Sequence, residues 1–116
     1  MADILKFPFA EADVQTASEG GATLDLTILS TLTIVNISGL TEALEVTTTP
    51  SPELMAGSKL IVKAAQGATG YDITFGSDFT GGDITGVAND TNISVFYYDG
   101  SGWIAEAAVF KLIDAA

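Results

Sequence analysis

The residues of this chain that could do chemistry are carboxylates in loop-like segments. Asp78, Asp83, Asp90 and Asp99 lie in stretches rich in Gly, Ser, Thr and Asn. Such loops can present carboxylate and carbonyl oxygens, which are the ligands that calcium prefers. Their spacing does not match the calcium loop of helix-loop-helix proteins, and Asp and Gly are also the residues that turns require. The sequence therefore predicts turns here, with no metal site and no cofactor.

The chain has few of the residue types and motifs that enzymes use for catalysis. The chain has no histidine and no cysteine, so the commonest general base and all Ser-His and Cys-His pairings are excluded. A carboxylate pair for glycoside hydrolysis is conceivable among fifteen Asp and Glu, but no residue type marks one pair. The glycines of "GATG" and "FTGGDITG" lack the lysine and the following helix of a phosphate-binding loop. We predict that the protein is not an enzyme.

The charge of the chain is strongly negative. Lys6, Lys59, Lys63 and Lys111 are its only cations, and the formal net charge is -11. Binding to a phosphate backbone depends on cations that displace counterions, so the sequence predicts neither a nucleic acid nor a membrane surface as partner. The acidity indicates either solubility or a complementary basic partner.

The size and hydropathy of the chain fit one packed domain. Its 116 residues can bury a single core, and 47% of them are hydrophobic. No segment approaches the apolar length of a membrane span, and "MADILKFPFA" does not have the pattern of a secretory signal. We expect a protein that does not cross a membrane by the usual route.

Alternating apolar residues predict strands throughout the chain. "TLDLTIL", "TLTIVNI", "ALEVTTT", "SKLIVKAA", "GYDITFG" and "NISVFYY" have the two-residue period of half-buried strands, separated by turn signals. Short strands at this spacing favour an all-β fold, a single antiparallel β-sandwich or jelly-roll-like domain over residues 22–116. Residues 106–116 fit either a last strand or a helical turn.

An extended N-terminal arm is predicted over residues 1–21. Its apolar cluster of Ile4, Leu5, Phe7 and Phe9 has no partner face of its own within the arm. The arm therefore either folds back as an edge strand of its own domain or anchors the protein to a neighbouring subunit.

The segment "VFYYDGSGWIAEAAVF" predicts a β-hairpin. Its "DGSG" turn supplies the glycines of a tight return, so Trp103 starts a strand opposite Tyr97 and Tyr98. The rings are interpreted as hairpin and core packing, and the alternative is a sugar-stacking surface. Aromatic residues on both faces indicate a central strand or one covered by a second subunit. The long loop 77–91 is either functional or held by its own side chains.

The order of these elements resembles a known family. "GSKLIVKAAQGATGYDITFGSDFTGGDI" followed by "NISVFYYDGSGW" is similar to a small β domain that recurs in structural proteins of tailed bacteriophages. The threonine-rich "ATLDLTILSTLTIVNISG" also fits the opening strands of that family. The resemblance covers roughly residues 22–105.

The resemblance implies a virion protein. Its members are tail fibres, head fibres and capsid-decorating proteins, which are typically oligomers, often trimers, of β-sandwich subunits. We expect a capsid decoration or head-fibre protein, made in the host cytoplasm and located on the capsid surface. It would bind the major capsid protein or other virion subunits as a homotrimer, with Ile4, Leu5, Phe7 and Phe9 as the contact residues. The alternative is a carbohydrate- or receptor-binding module of a tail fibre, with Tyr98 and Trp103 facing the ligand.

Overall fold

The computed structural model describes residues 13–18, 22–28, 30–49, 55–106 and 110–112. Every regular element in these residues is a strand, which confirms the all-β prediction. The strands are β1 Asp13–Ser18, β2 Thr23–Thr27, β3 Leu32–Ser38, β4 Leu44–Thr49, β5 Lys59–Ala65, β6 Ile73–Phe75, β7 Phe79–Thr80, β8 Thr91–Tyr98, β9 Trp103–Ala105 and β10 Phe110–Leu112.

The strands form two sheets. The seven-stranded sheet has the order β1-β3-β5-β8-β9-β7, with β10 also pairing with β8. The three-stranded sheet has the order β2-β4-β6. Successive strands from β1 to β6 therefore alternate between the two sheets. From β3 to β6, each strand pairs with the strand two places earlier in the chain.

This winding corrects the predicted antiparallel pairing. β1, β3 and β5 pair in parallel, and so do β2, β4 and β6, which gives a solenoid-like arrangement. Among the described strands, β7 and β9 also pair in parallel, and the antiparallel strand pairs are those of β8 with β5, β9 and β10. The two-residue period could not reveal the difference, because inward and outward side chains alternate in the same way in parallel and antiparallel strands.

One hydrophobic core lies between the sheets. Leu26, Leu44, Val46 and Ile73 from the small sheet and Val35, Ile37, Leu60, Val62 and Phe96 from the large sheet belong to one cluster of buried side chains. The alternation predicted in "TLDLTIL" is confirmed, since Leu26 and Ile28 are buried and Leu24 packs against the core. The β-branched residues suit these pleated surfaces and so reinforce the strand pattern.

The predicted hairpin closes the large sheet. β8 lies between β5 on one side and β9 and β10 on the other, so it is a central strand, as its two aromatic faces suggested. Asp99 Oδ1 accepts hydrogen bonds from the N–H groups of Ser101 and Gly102, which shapes the turn. The region 106–116, which fitted strand or helix, contains strand β10.

The predicted arm is partly a strand of the domain. Asp13–Ser18 forms β1, the edge strand that pairs with β3, which agrees for these residues with the first of the two alternatives given for the arm. Their polar, exposed positions hid the strand, because an edge strand buries few side chains. Ile4, Leu5, Phe7 and Phe9 lie outside the described residues.

Candidate functional site

Two of the four loop aspartates, Asp83 and Asp99, accept hydrogen bonds from backbone N–H groups. Asp83 Oδ1 accepts a hydrogen bond from the N–H of Phe75, at 3.0 Å, and Asp99 holds its own turn. The backbone N–H groups of Ser101 and Gly102 hold the pKa of Asp99 below its usual value. Within the described part of the chain, no three acidic side chains converge on a point that could hold a metal ion.

The segment 77–91, predicted as one long loop, contains strand β7, which pairs with β9, and the rest of it is held by its own contacts. Ile84 is buried and forms a bridge with Ile73, with N–H to O distances of 2.9 and 2.8 Å. Asp72 Oδ1 accepts a hydrogen bond from the N–H of Gly86 at 2.8 Å. Ser94 Oγ donates to the carbonyl of Gly82 at 2.7 Å. Of the two interpretations of this loop, these contacts favour the structural one.

Loop 77–91 also crosses the segment after β5 at a pair of glycines. A Cβ on Gly86 would lie 2.3 Å from backbone atoms of Tyr71, and one on Gly70 would lie 2.6 Å from the carbonyl carbon of Gly86. The amide of Gln66 fixes that segment, donating to the carbonyl of Tyr71 and accepting from its N–H. Only glycine allows so close a backbone approach.

The aromatic residues of the hairpin divide between the two faces of the sheet. Trp103 is 1% exposed, stacks on Phe79 with 6.3 Å between ring centroids and lies 5.3 Å from the ring of Tyr98. Tyr98 is half-buried and packs against the core. Tyr97 points the other way and is 39% exposed. The predicted contact between Trp103 and a tyrosine is therefore confirmed, and it lies on the core side.

The surface most suited to binding is the outer face of the seven-stranded sheet. It consists of the side chains that alternate with the core residues, namely Val14, Thr16, Leu32, Ile34, Asn36, Lys59, Ile61, Lys63, Ile93, Val95, Tyr97 and Ile104. Six of these twelve, Leu32, Ile34, Ile61, Ile93, Val95 and Ile104, are apolar and half-buried. Val14, Ile34, Ile61 and Val95 are register neighbours and make an apolar row across four strands.

The charge of the outer face differs from that of the whole chain. Lys59 and Lys63 are its only charged strand residues, whereas the chain carries -11 overall. Lys59 Nζ lies 2.7 Å from Glu106 Oε2 at the end of β9. Lys63 remains exposed beside a hollow of about 220 Å³ that Thr16, Asn36 and Ala65 also line. An ammonium, an amide and a hydroxyl thus meet at one place, where a partner's carboxylate could bind.

The opposite face of the molecule has the reverse character. The outer side of the small sheet carries Thr23, Asp25, Thr27, Glu45, Thr47, Thr49 and Thr74. Asp25 accepts hydrogen bonds from the hydroxyls of Thr49 and Thr47, which lower its pKa. This face is hydrophilic and acidic, so water solvates it well.

The outer face was not singled out by the sequence patterns. Its signal was present, because "TIVNI" and "LIVK" have apolar residues on both faces of a strand. An apolar residue on each face indicates a strand covered on both sides, or one whose second face is an interface.

In the described residues, no helix is long and apolar enough to span a membrane. A scan against models of known protein families gives no match to the chain, and a search of curated proteins gives none either.

Proposed function

We propose that this protein is a structural component of a bacteriophage virion, a capsid decoration or head-fibre protein that binds the outer capsid surface as an oligomer. The observation that carries the proposal is the outer face of the seven-stranded sheet. It is an ordered, half-apolar and cationic surface on an acidic protein. Such a surface can bind another protein by burial and hydrogen bonding without chemistry.

The virion context rests on the resemblance. The "LIVK" strand, β5, pairs with β8, and "YDGSGW" joins β8 to β9. "TFG" ends β6 in the other sheet, and its Phe75 contacts Phe96 of β8 across the core. The family implies β-sandwich subunits. We propose that the two facing sheets here are a variant of that architecture, in which the strands before β8 wind in parallel.

Binding to a capsid would stabilise the shell by mass action. A protein that binds the assembled lattice but not its dissociated subunits shifts the equilibrium toward the lattice. The apolar row of the outer face would lie at the centre of the contact, and Lys63 would meet a carboxylate of the capsid protein. The residues Ile4, Leu5, Phe7 and Phe9 remain proposed anchors of the same attachment, and the oligomer that the family implies is a trimer.

The test uses particles produced from the genome that encodes this chain. The particles are purified on a density gradient, and the chain is quantified against the major capsid protein by mass spectrometry. We expect a fixed stoichiometric ratio. Absence of the chain from purified particles would refute the proposal.

A second test asks whether the outer face of the seven-stranded sheet makes the contact with the capsid. Particles that lack the chain are incubated with the wild-type protein, with Tyr97→Asp, and with Val87→Asp as a control. Tyr97 and Val87 have similar exposed fractions, 39% and 50%, but Val87 lies between β7 and β8, outside the strands that form the outer face. We expect Tyr97→Asp to bind at least about tenfold more weakly, because it places a carboxylate in the contact. Equal binding of both variants would exclude this face.

The alternative, a carbohydrate- or receptor-binding module, is less favoured. A sugar stacks on an exposed aromatic ring, and Trp103 is 1% exposed. Tyr98 alone, half-buried against the core, offers little of such a surface. A glycan array probed with the full chain tests this alternative, which a dose-dependent signal abolished by Tyr98→Ala would restore.

A further inference from the structure

We propose that two copies of this chain associate end to end through the outer edges of β1 and β2, under a two-fold axis that makes both sheets continuous across the contact. The proposal rests on the sheet edges and goes beyond the proposed function, which concerns the outer face.

The edge strands at the two ends of the parallel stack differ in whether another segment pairs with them. At the far end, the large sheet continues from β5 into the antiparallel strands β8 and β9. In the small sheet, the edge of β6 is covered by the bridge between Ile73 and Ile84 and by the hydrogen bond from Phe75 to Asp83. At the near end, β1 and β2 are edge strands, and no strand of the described ranges pairs with their outer sides.

The near end has little of the usual protection of strand edges. Natural edges are blunted by charged side chains, especially lysine, and by proline, bulges, very short strands or a covering segment. The charged residues of β1 and β2 are Asp13 and Asp25, and each already accepts a hydrogen bond from a neighbouring side chain. β1 and β2 are six and five residues long, and neither "DVQTAS" nor "TLDLT" contains proline or lysine. Val14 on β1 is 59% exposed. These strands can therefore accept another strand by backbone pairing.

At the near end, the side chain of Gln15 links β1 of the large sheet to β2 of the small sheet. Gln15 Nε2 donates to the carbonyl of Thr27, at 3.0 Å, and to Asp13 Oδ2, at 2.9 Å, which ties β1 to β2. Leu26 and Ile28 at this end are already buried, so a partner does not have to supply an apolar core. It has to supply backbone donors and acceptors to two strand edges, one in each sheet.

A second copy meets this requirement with one symmetry operation. β1 and β2 are corresponding edges of two sheets that share a core. A two-fold axis perpendicular to both sheets places each edge strand antiparallel to its own copy, so a single axis pairs both edges. Pairing strands of these lengths forms roughly ten backbone hydrogen bonds, the number in a typical protein interface.

The charges at this end allow the contact. The acidic residues of β1 and β2 are Asp13 and Asp25, and both accept hydrogen bonds from neighbouring side chains. The net charge of -11 on each copy still opposes association at long range. Added salt screens this repulsion and leaves the backbone hydrogen bonds in place, so the dimer should tighten as ionic strength rises from about 0.05 to about 0.5 M.

The test measures the mass of the full chain in solution by size-exclusion chromatography with light scattering. We expect a mass of twice the 11.9 kDa chain, or a higher even multiple, at about 100 μM. Val14→Asp should halve that mass, because it adds a carboxylate to each of the two strands that pair across the axis, and like charges close together destabilise strand pairs. The dissociation constant should rise at least about tenfold.

Matched variants separate the edge from general effects of charge and from the outer face, to which Val14 and Thr16 also belong. Tyr97→Asp changes the outer face away from β1 and should leave the mass unchanged. Val87→Asp adds the same charge at a residue of similar exposure in loop 77–91, and it should leave the mass unchanged. Val14→Thr keeps a β-branched, uncharged edge and should also leave it unchanged. Thr16→Asp, at an exposed position of β1, repeats the test should Val14→Asp fail to fold by circular dichroism.

A monomeric wild-type chain at about 100 μM would overturn the proposal. So would an oligomer whose mass neither Val14→Asp nor Thr16→Asp changes, including a trimer of the kind the resemblance implies. That trimer would leave the proposed function intact. A dimer broken by Val14→Asp in a protein absent from virions would support the edge contact and refute the proposed function.

Discussion

Gly86→Ala should destabilise the domain far more than an ordinary loop substitution. A Cβ at this position would lie 2.3 Å from the nitrogen and the carbonyl carbon of Tyr71 and 2.5 Å from its oxygen. Ordinary van der Waals contacts begin about 1 Å further out, so the two backbone segments must separate by roughly that distance. This would also lengthen the hydrogen bond from the N–H of Gly86 to Asp72, now 2.8 Å.

The magnitude follows from these two effects. Overpacking of this kind costs about 1–3 kcal/mol, and weakening a hydrogen bond to a carboxylate adds about 1 kcal/mol at an exposed site. We expect a loss of about 2–4 kcal/mol in the free energy of unfolding. The assay is urea unfolding, monitored by circular dichroism and by the fluorescence of Trp103, the single tryptophan.

Gly67→Ala is the matched control. It lies in the same crossing segment, where a Cβ would have no atom within 4 Å. The change should be neutral or stabilise the domain by up to about 1 kcal/mol, because alanine reduces the entropy of the unfolded chain. A Gly86→Ala variant within about 0.5 kcal/mol of Gly67→Ala would refute the close glycine crossing.

Three further predictions concern the core and the charged residues. Trp103→Ala should lower the free energy of unfolding by about 3–5 kcal/mol. Trp103→Phe should lower it clearly less, because this change also removes a buried Nε1–H that has no acceptor among the described residues. Urea midpoints check both variants, and equal losses would contradict the packing described. The pKa of Asp25 is lowered in the folded state, so its contribution to stability is present above the unfolded pKa of 3.8 and is lost as the pH falls below about 4. Asp25→Asn should therefore flatten the decline of the urea midpoint between pH 5 and pH 2. An unchanged slope would show that the hydrogen bonds from the threonines do not form. Glu106→Gln should change stability by less than about 0.5 kcal/mol, because its ion pair with Lys59 is partly exposed, and a loss above about 1 kcal/mol would contradict that environment.

The strands could be predicted from the sequence, whereas their pairing could not. The periods of "TLDLTIL", "TLTIVNI" and "SKLIVKAA" place the right residues in the core, because alternation follows directly from the geometry of a strand. The same alternation occurs in parallel and antiparallel sheets. The parallel winding depends on segments such as 39–43, which carry the chain from one sheet to the other, and they have no distinctive sequence.

The aromatic hairpin was predictable, and the binding surface was not. "DGSG" fixes the turn, so the contact between Tyr98 and Trp103 follows from the hairpin register. The outer face brings together residues from β1, β3, β5, β8 and β9 that are distant in sequence. Only the strand order shows that Ile34, Ile61 and Val95 are neighbours.

The most direct test of surface binding measures the protection of single cysteines on the particle. The chain has no native cysteine, so Lys63→Cys on the outer face and Thr74→Cys on the opposite, acidic face each introduce one exposed thiol. Maleimide labelling is compared between the free protein and purified particles assembled with each variant. We predict that the particle protects the Lys63→Cys thiol at least about tenfold and leaves the Thr74→Cys thiol accessible. Equal labelling of both variants on the particle, or protection of Thr74→Cys alone, would contradict attachment through the outer face.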